Sequence, residues 1–519
     1  MAVPIRLNHP AIYYTGLGLM IISLPVSQFA LSVSQFIILG NWLLEGDFKN
    51  KFKSFVTNKP AVVLSSLFVL HVAGLLYTTD LDYAIKDLRI KLPILALPVI
   101  FSTSRPIESR VFDLFIKLFI GSCLVATFIG FGILMTKDIS DIREISPFIS
   151  HIRLSLNICL AIFFSGHFLF IKYRNNQIIR IVLLLIILWF VTYLILSESA
   201  TGFYVMTGTL IALLIFVFPK IKDPKIKWSL GISALLIPTV VVFYLYHTSK
   251  TYLTPDRGEL KNLVYQTSQG NIYTHDTLSY SVENGRYPGL YVCDTELRDS
   301  WNSRSNLDYD GQDAMGHELK TTLIRYLNSR GFRKDAEGMK KLIDDDIRNI
   351  EKGIANYFYS KKFNLNSRMY KILWEFQEMK KGAGPGGTSF VQRLDFWKAA
   401  TGIIRENFWT GVGTGDMDEA FALQYEKTNS KLAPEFRFRS HNQFLAIFTA
   451  FGFIGFLWFV FTLVYPPFQL KAFNKYRYVV FFLIIVLSML TEDTLETQMG
   501  VTLYAFFNSF LLFLNKDDR

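Results

Sequence analysis

Residues 393–465 decide how the chain is read: RLDFWKAATGIIRENFWTGVGTGD (393–416), then SHNQFL (440–445), then AIFTAFGFIGFLWFVFTLVY (446–465). The last piece is apolar over about 20 residues, the length that crosses a bilayer. Ahead of it stand an arginine, a glycine-rich turn and a histidine, and they close the hydrophilic stretch 247–442. Ionisable groups therefore sit at the mouth of a membrane helix. That placement points to a reaction or recognition event at a membrane face.

Composition agrees. Of 519 residues, 51% are hydrophobic and 15% aromatic, with a mean hydropathy of +0.28, more apolar surface than a soluble chain of this length carries. The formal charge of +11 does not call for nucleic acid. Outside the long loop, Lys and Arg cluster in short links between apolar runs, as they do on one side of a membrane. Of three cysteines, Cys123 and Cys159 lie in apolar runs and Cys293 is alone in the loop. No disulfide framework and no zinc-type CxxC pair follows. The first apolar run, preceded by Arg6 and lacking a small-residue cleavage site, is expected to be retained as a span.

Runs long enough to cross, roughly 17–25 residues each, number about twelve. They fall near 11–25, 28–45, 61–78, 91–104, 111–135, 153–172, 179–197, 200–218, 228–246, 443–465, 477–491 and 499–515. The fourth is short and holds Pro93 and Pro98, which predicts a tilted, broken or re-entrant segment. The expected fold is an all-α polytopic membrane protein. It divides into a membrane region at 1–246, a large loop domain at 247–442 and a second membrane region at 443–519. The more basic short links hold Lys49, Lys51, Lys53, Arg105, Arg110, Lys172, Arg174, Lys220, Lys475 and Arg477. Placing them inside sends 247–442 to the outer face. Helical patterning at 339–359 and 367–381 predicts a mostly helical loop, with GAGPGG (382–387) as a break.

Five places can carry chemistry. His441 precedes Asn442 and the tenth span; a neutral imidazole there can take a proton from a hydroxyl, or it can simply cap the helix. Arg393 opens an amphipathic segment, and its guanidinium fork suits phosphate oxygens. The plainer role is a surface ion pair with Asp395 or a snorkelling arginine. In FWTGVGTGD (408–416) Gly411, Gly413 and Gly415 allow a tight turn; N–H groups facing an anion are the less ordinary use. No Walker or dinucleotide fingerprint surrounds it. Arg153, close after His151, starts the sixth span, where an arginine must snorkel, pair or face a polar cavity. The last outer link, TEDTLETQMG (491–500), holds Glu492, Asp493 and Glu496 and no cation. No carboxylate pair there has metal-binding geometry, so no metal is inferred.

Taken together, Arg393 and Trp397 in RLDFWKAA, the GVGTGD turn, and His441-Asn442 in SHNQFL followed by FGFIGF resemble the O-antigen ligase family. The stretches 302–339 and 490–500 are similar to its Bacteroidetes-type members. The resemblance implies a GT-C-type glycosyltransferase of the bacterial inner membrane, working at the periplasmic face without metal or other cofactor. Its donor would be a glycan on undecaprenyl diphosphate. Its acceptor would be a hydroxyl such as one of lipid A-core, the reaction of lipopolysaccharide biosynthesis. Carried over by motif, Arg393 contacts the diphosphate and His441 activates the acceptor. Trp397, Gly413, Asn442, Glu492 and Glu496 are expected to help bind substrate.

One departure stands out. Many members carry an arginine after LxxSR, and here LSESATGFYVM puts Ala200 in that place. Arg153 is the candidate to supply the missing charge. A polymerase or a protein O-oligosaccharyltransferase would use the same groups on another hydroxyl. A transporter or flippase is the reading from a different class, and one-sided clustering of the polar candidates argues against it.

Overall fold

The computed structural model describes residues 7–137, 139, 141–217, 224–255, 260–360, 365–380 and 389–515, so the break expected at 382–387 lies outside the described residues. Among them the chain is all-helical, with only isolated β-bridges. Contacts divide it into two units: Met1–Lys222, Phe396–Ser430 and Arg437–Arg519 form the first, Asp223–Asp395 and Lys431–Phe436 the second.

Nine helices open the first unit: α1 (His9–Ser23), α2 (Gln28–Leu44), α3 (Phe48–Thr57), α4 (Lys59–Ala73), α5 (Leu81–Thr103), α6 (Ser109–Thr136), α7 (His151–His167), α8 (Gln177–Leu196) and α9 (Ala200–Val217). In the second unit come α10 (Pro224–Leu253), α11 (Asp294–Asn302), α12 (Leu319–Arg330), α13 (Ala336–Lys340), α14 (Asp344–Glu351) and α15 (Leu365–Lys380). Then follow α16 (Ser389–Glu406), α17 (Met417–Lys427), α18 (Gln443–Gln469), α19 (Tyr476–Met489) and α20 (Gln498–Ser509).

Polar caps set many of the starts. Asn8, Ser27, Asn58, Asp80, Ser150, Asn176 and Thr497 each accept from a backbone N–H of the following first turn, which satisfies donors that no helical carbonyl reaches. Every one of the twelve apolar runs falls on a helix. By length and composition, five segments suffice to cross a bilayer: Lys59–Leu76, Ser109–Thr136, His151–Lys172, Gln177–Leu196 and Gln443–Gln469. A sixth is α2 with α3, if that pair, bent by 113°, counts as one. Between neighbouring spans, packing and polar contacts hold the unit, since lipid is as apolar as a leucine side chain. α7 and α20 are buried nearly all round, whereas α8 turns most of its surface outward.

Of the tilted, broken or re-entrant segment expected for the fourth run, the break does not occur. α5 continues through Pro93 and Pro98 as one helix of 23 residues. It starts ten residues earlier than its apolar run because the Asp80 cap nucleates it, and packing against α4 and α20 holds it across the lost bonds. In the second unit the expected helix at 339–359 is split: α13, α14 and a turn at Tyr357–Ser360 replace it, with Gly353 at φ 83° marking one break. Trp301, Leu323, Tyr326, Leu327 and Ile350 form that unit's core, and the buried Glu283 pairs with Arg325 at 2.6 Å.

At one end of the first unit, Asp113 is buried and accepts from both Lys172 and Arg477. The Arg477 guanidinium lies over the rings of Phe112 and Phe168. From Arg153 to Lys172 the chain is continuously helical, about 28 Å at 1.5 Å per residue. The candidate residues gather at that other end.

Candidate active site

The turn before α18 is built around one carboxylate. Asn442 caps the helix, its Oδ1 accepting from Phe444 N (3.0 Å) and Leu445 N (3.1 Å), while its Nδ2 donates to Leu490 O at 3.0 Å. Capping thus belongs to Asn442, and the imidazole before it is released from that role. His441 takes φ 45°, a left-handed conformation that costs a non-glycine residue energy unless its surroundings hold it. Asp493 holds it: Oδ2 accepts from His441 N at 3.1 Å, and Oδ1 lies 3.3 Å from Ser440 Oγ. Trp397 Nε1 donates to Ser440 O at 3.0 Å. The half-exposed His441 ring rests against Phe396 and Phe438, with Nδ1 3.9 Å from Asp493 Oδ2.

A second carboxylate sits three residues further on. Glu496 Oε2 lies 3.0 Å from Lys91 Nζ and 3.7 Å from Arg439 Nη1, and Oε1 accepts from Gln443 Nε2 at 3.2 Å. Lys91 is buried and also donates to Asp87, one turn earlier on α5. Arg439 donates to Asp418 Oδ1 at 2.6 Å and to Tyr83. These charges set the proton affinities. Burial and the neighbouring Glu496 push the Asp493 carboxyl up to about 6. Burial acts the same way on Glu496, but the Lys91 and Arg439 charges outweigh it and hold that group well below the usual range. One carboxylate is locked in its charged form, and its neighbour titrates close to neutrality.

Arg153 enters from the first turn of α7. It is 6% exposed, and its Nη2 donates to Asp493 O at 3.2 Å. Nη1 is buried without a hydrogen-bond partner among the described residues. Gly500 leaves it room, since a Cβ there would stand 3.1 Å from Cζ. Beside it, the start of α9 meets the same link: Thr201 Oγ1 lies 3.5 Å from Glu492 Oε1, and Ser155 Oγ donates to Ser199 Oγ at 2.6 Å. Ala200 therefore stands in a segment that shares the 492–493 link with Arg153.

The glycine turn is spliced into α18. At Gly452 (φ 62°, ψ −165°) the helix breaks. Thr449 O and Ala450 O then accept from Val412 N (3.0 Å) and Gly413 N (2.8 Å), and Phe453 N donates to Phe408 O at 2.7 Å. A Cβ on Gly411 would meet Ala450 C at 2.4 Å, and one on Gly452 would meet Trp409 C at 2.3 Å. Close backbone crossing is what these glycines permit, and the Gly413 N–H is committed to the helix. Asp416 ends the turn by accepting from Thr78 Oγ1, Thr79 N and Asp80 N at 2.8–2.9 Å.

The α19–α20 link thus brings together His441, Asn442, Glu492, Glu496 and Arg153, with Trp397 one hydrogen bond away at Ser440. Arg393 is half-buried one turn before Trp397 on α16, and its contacts assign it to the second unit. Three participants were not anticipated as site residues, Asp87, Lys91 and Arg439, while Asp493 was read only as one of three acids in the link. The available signal was Asp87 and Lys91, an i,i+4 pair where an apolar run begins.

A helical, multi-pass membrane protein with a carboxylate-backed histidine at one end is the class defined so far. Residues 353–460 match the family model described as O-antigen ligase, so this stretch of the chain is similar to that family. No curated protein matches the chain.

Proposed function

We propose that the chain is a glycosyltransferase of the ligase type. It moves a glycan from undecaprenyl diphosphate to a hydroxyl acceptor such as lipid A-core, at the periplasmic face of the inner membrane, with twelve spans in a GT-C-type arrangement and 247–442 outside. The observation that carries this is His441, inside the family-matched residues 353–460, with Asp493 of the following link beside it. Nδ1 is the nitrogen nearest the carboxylate, so Nε2 is the one that accepts the acceptor's proton. The freed oxygen forms a bond to the anomeric carbon as the bond from that carbon to the diphosphate oxygen breaks. The electron pair leaves with undecaprenyl diphosphate, and the proton stays on the imidazole, where Asp493 stabilises the charge.

Arg393 is assigned to the diphosphate, and Arg153, whose Nη1 has no hydrogen-bond partner among the described residues, to the charge that Ala200 does not supply. Glu496, fixed by Lys91 and Arg439, keeps the link rigid beneath His441. The test is His441→Ala. Attachment of glycan to lipid A-core should drop by about 10²–10⁴-fold, while membrane insertion and donor binding persist. Normal attachment in that variant would remove the histidine from the chemistry. Full activity and donor affinity in Arg153→Ala would likewise end the assignment to that arginine.

A further inference from the structure

Between α16 and α17 lies a cavity of about 390 Å³, bounded by the 411–416 turn and Tyr77, toward the small end of the range of ligand pockets. Ile403, Leu423 and the Tyr77 ring give it apolar walls, and Asn407, Glu419 and Gln424 give it polar ones. Gln424 is the informative group. It is 7% exposed, and among the described residues its side-chain amide carries no hydrogen bond. The helix opposite makes room for it, because a Cβ on Gly402 would come within 2.2 Å of Gln424 Nε2. Other buried amides of this unit are used: Gln443 bonds both Leu495 N and Glu496. The amide opens into the cavity, where its oxygen and nitrogen stand ready for a ligand that enters.

The chemistry of the walls selects that occupant. Lys427 at the rim is paired with Glu406, so the cavity presents amides and carboxylates to a ligand, which suits hydroxyl donors and disfavours phosphate. Apolar faces beside polar edges match a sugar ring, which has C–H faces and hydroxyl edges. We propose that this cavity binds one pyranose ring, neutral or amino-substituted, with Gln424 and Asn407 reading its hydroxyls. This deepens the glycan-transfer assignment and rests on it. The neighbouring Tyr425 OH donates to Phe438 O at 2.6 Å, three residues before His441, so α17 ties the cavity to the segment that carries the base.

The experiment is saturation-transfer NMR on the full chain in detergent, with methyl α-glucopyranoside, methyl α-mannopyranoside and methyl N-acetylglucosaminide as probes. Wild type should transfer saturation to at least one of them. Gln424→Leu and, independently, Asn407→Leu should weaken the signal by about fivefold, the worth of one hydrogen bond. His441→Ala should leave it intact, and inorganic phosphate should not compete. Binding of none of the three, unchanged binding in both leucine variants, or displacement by phosphate would overturn the proposal. Persistent glycan attachment in His441→Ala would instead strike at the transferase assignment, so the two failures are read separately.

Discussion

At the Asp113 end of the first unit one carboxylate faces two cations, and aromatic rings wall them in. At the His441 end, Asp493 and Glu496 share three cations unevenly, with a half-exposed imidazole beside them. Both ends bury acidic groups near membrane helices. The first is closed, every carboxylate oxygen being answered by a cation. The second leaves a carboxyl that burial and the neighbouring Glu496 push up to about 6, with no cation bonded to its side-chain oxygens among the described residues. Buried charge that is fully answered acts as a staple, and buried charge held partly open is where chemistry is affordable to look for.

The sharpest way to break that contrast is at the staple. Asp113→Asn removes the charge that Lys172 and Arg477 share and should destabilise the unit by about 3–5 kcal/mol, read as a lower thermal midpoint in detergent. Activity per folded molecule should not change. If it falls with no loss of stability, the two ends do not divide the labour as described. Next, Asp493→Asn should lower turnover by about 100-fold, or 2.7 kcal/mol, because a neutral amide cannot stabilise an imidazolium. Acceptor affinity should move little.

A smaller effect follows from pH. The Asp493 carboxyl is raised to about 6 by burial and by Glu496, so it protonates as pH falls through that value. Turnover should then decline by about tenfold per unit below pH 6, and Asp493→Asn should lose the part of that limb due to the carboxyl. The stability sign is opposite. A carboxyl raised in the fold contributes stability below its ordinary value of 3.8 and loses it as pH rises through 6. Smallest is Gly413→Ala. At φ 97°, with its Cβ 3.1 Å from Thr78, it should cost about 1–3 kcal/mol, measurable as a midpoint shift.

How much of this was legible in the sequence depends on distance along the chain. The helices were, because each apolar run is a local pattern, and what no local pattern shows is that α5 runs on through its prolines, packed against α4 and the distant α20. The histidine and the acidic link were visible as well. Which acid faces the imidazole was not: the sequence favours Glu492 and Glu496 equally with Asp493, and only the turn at Thr494–Glu496 aims Asp493 at residues 440–441. Lys91 and Glu496 are 405 residues apart, a pairing that no local pattern encodes. The glycines of 411–415 were read as a turn, and a turn they make. Their reason, the break at Gly452, lies some forty residues on.

The splice at Gly452 also bears on the order of assembly. The part of α18 before the break, Gln443–Phe451, is too short to cross a bilayer alone, and its free carbonyls are answered only once 412–413 has docked. That docking is fastened through Asp416 to Thr78, 338 residues earlier. Closing so long a loop is entropically slow. Pulse-labelled hydrogen exchange during refolding should therefore find the segment carrying the imidazole among the last to gain protection.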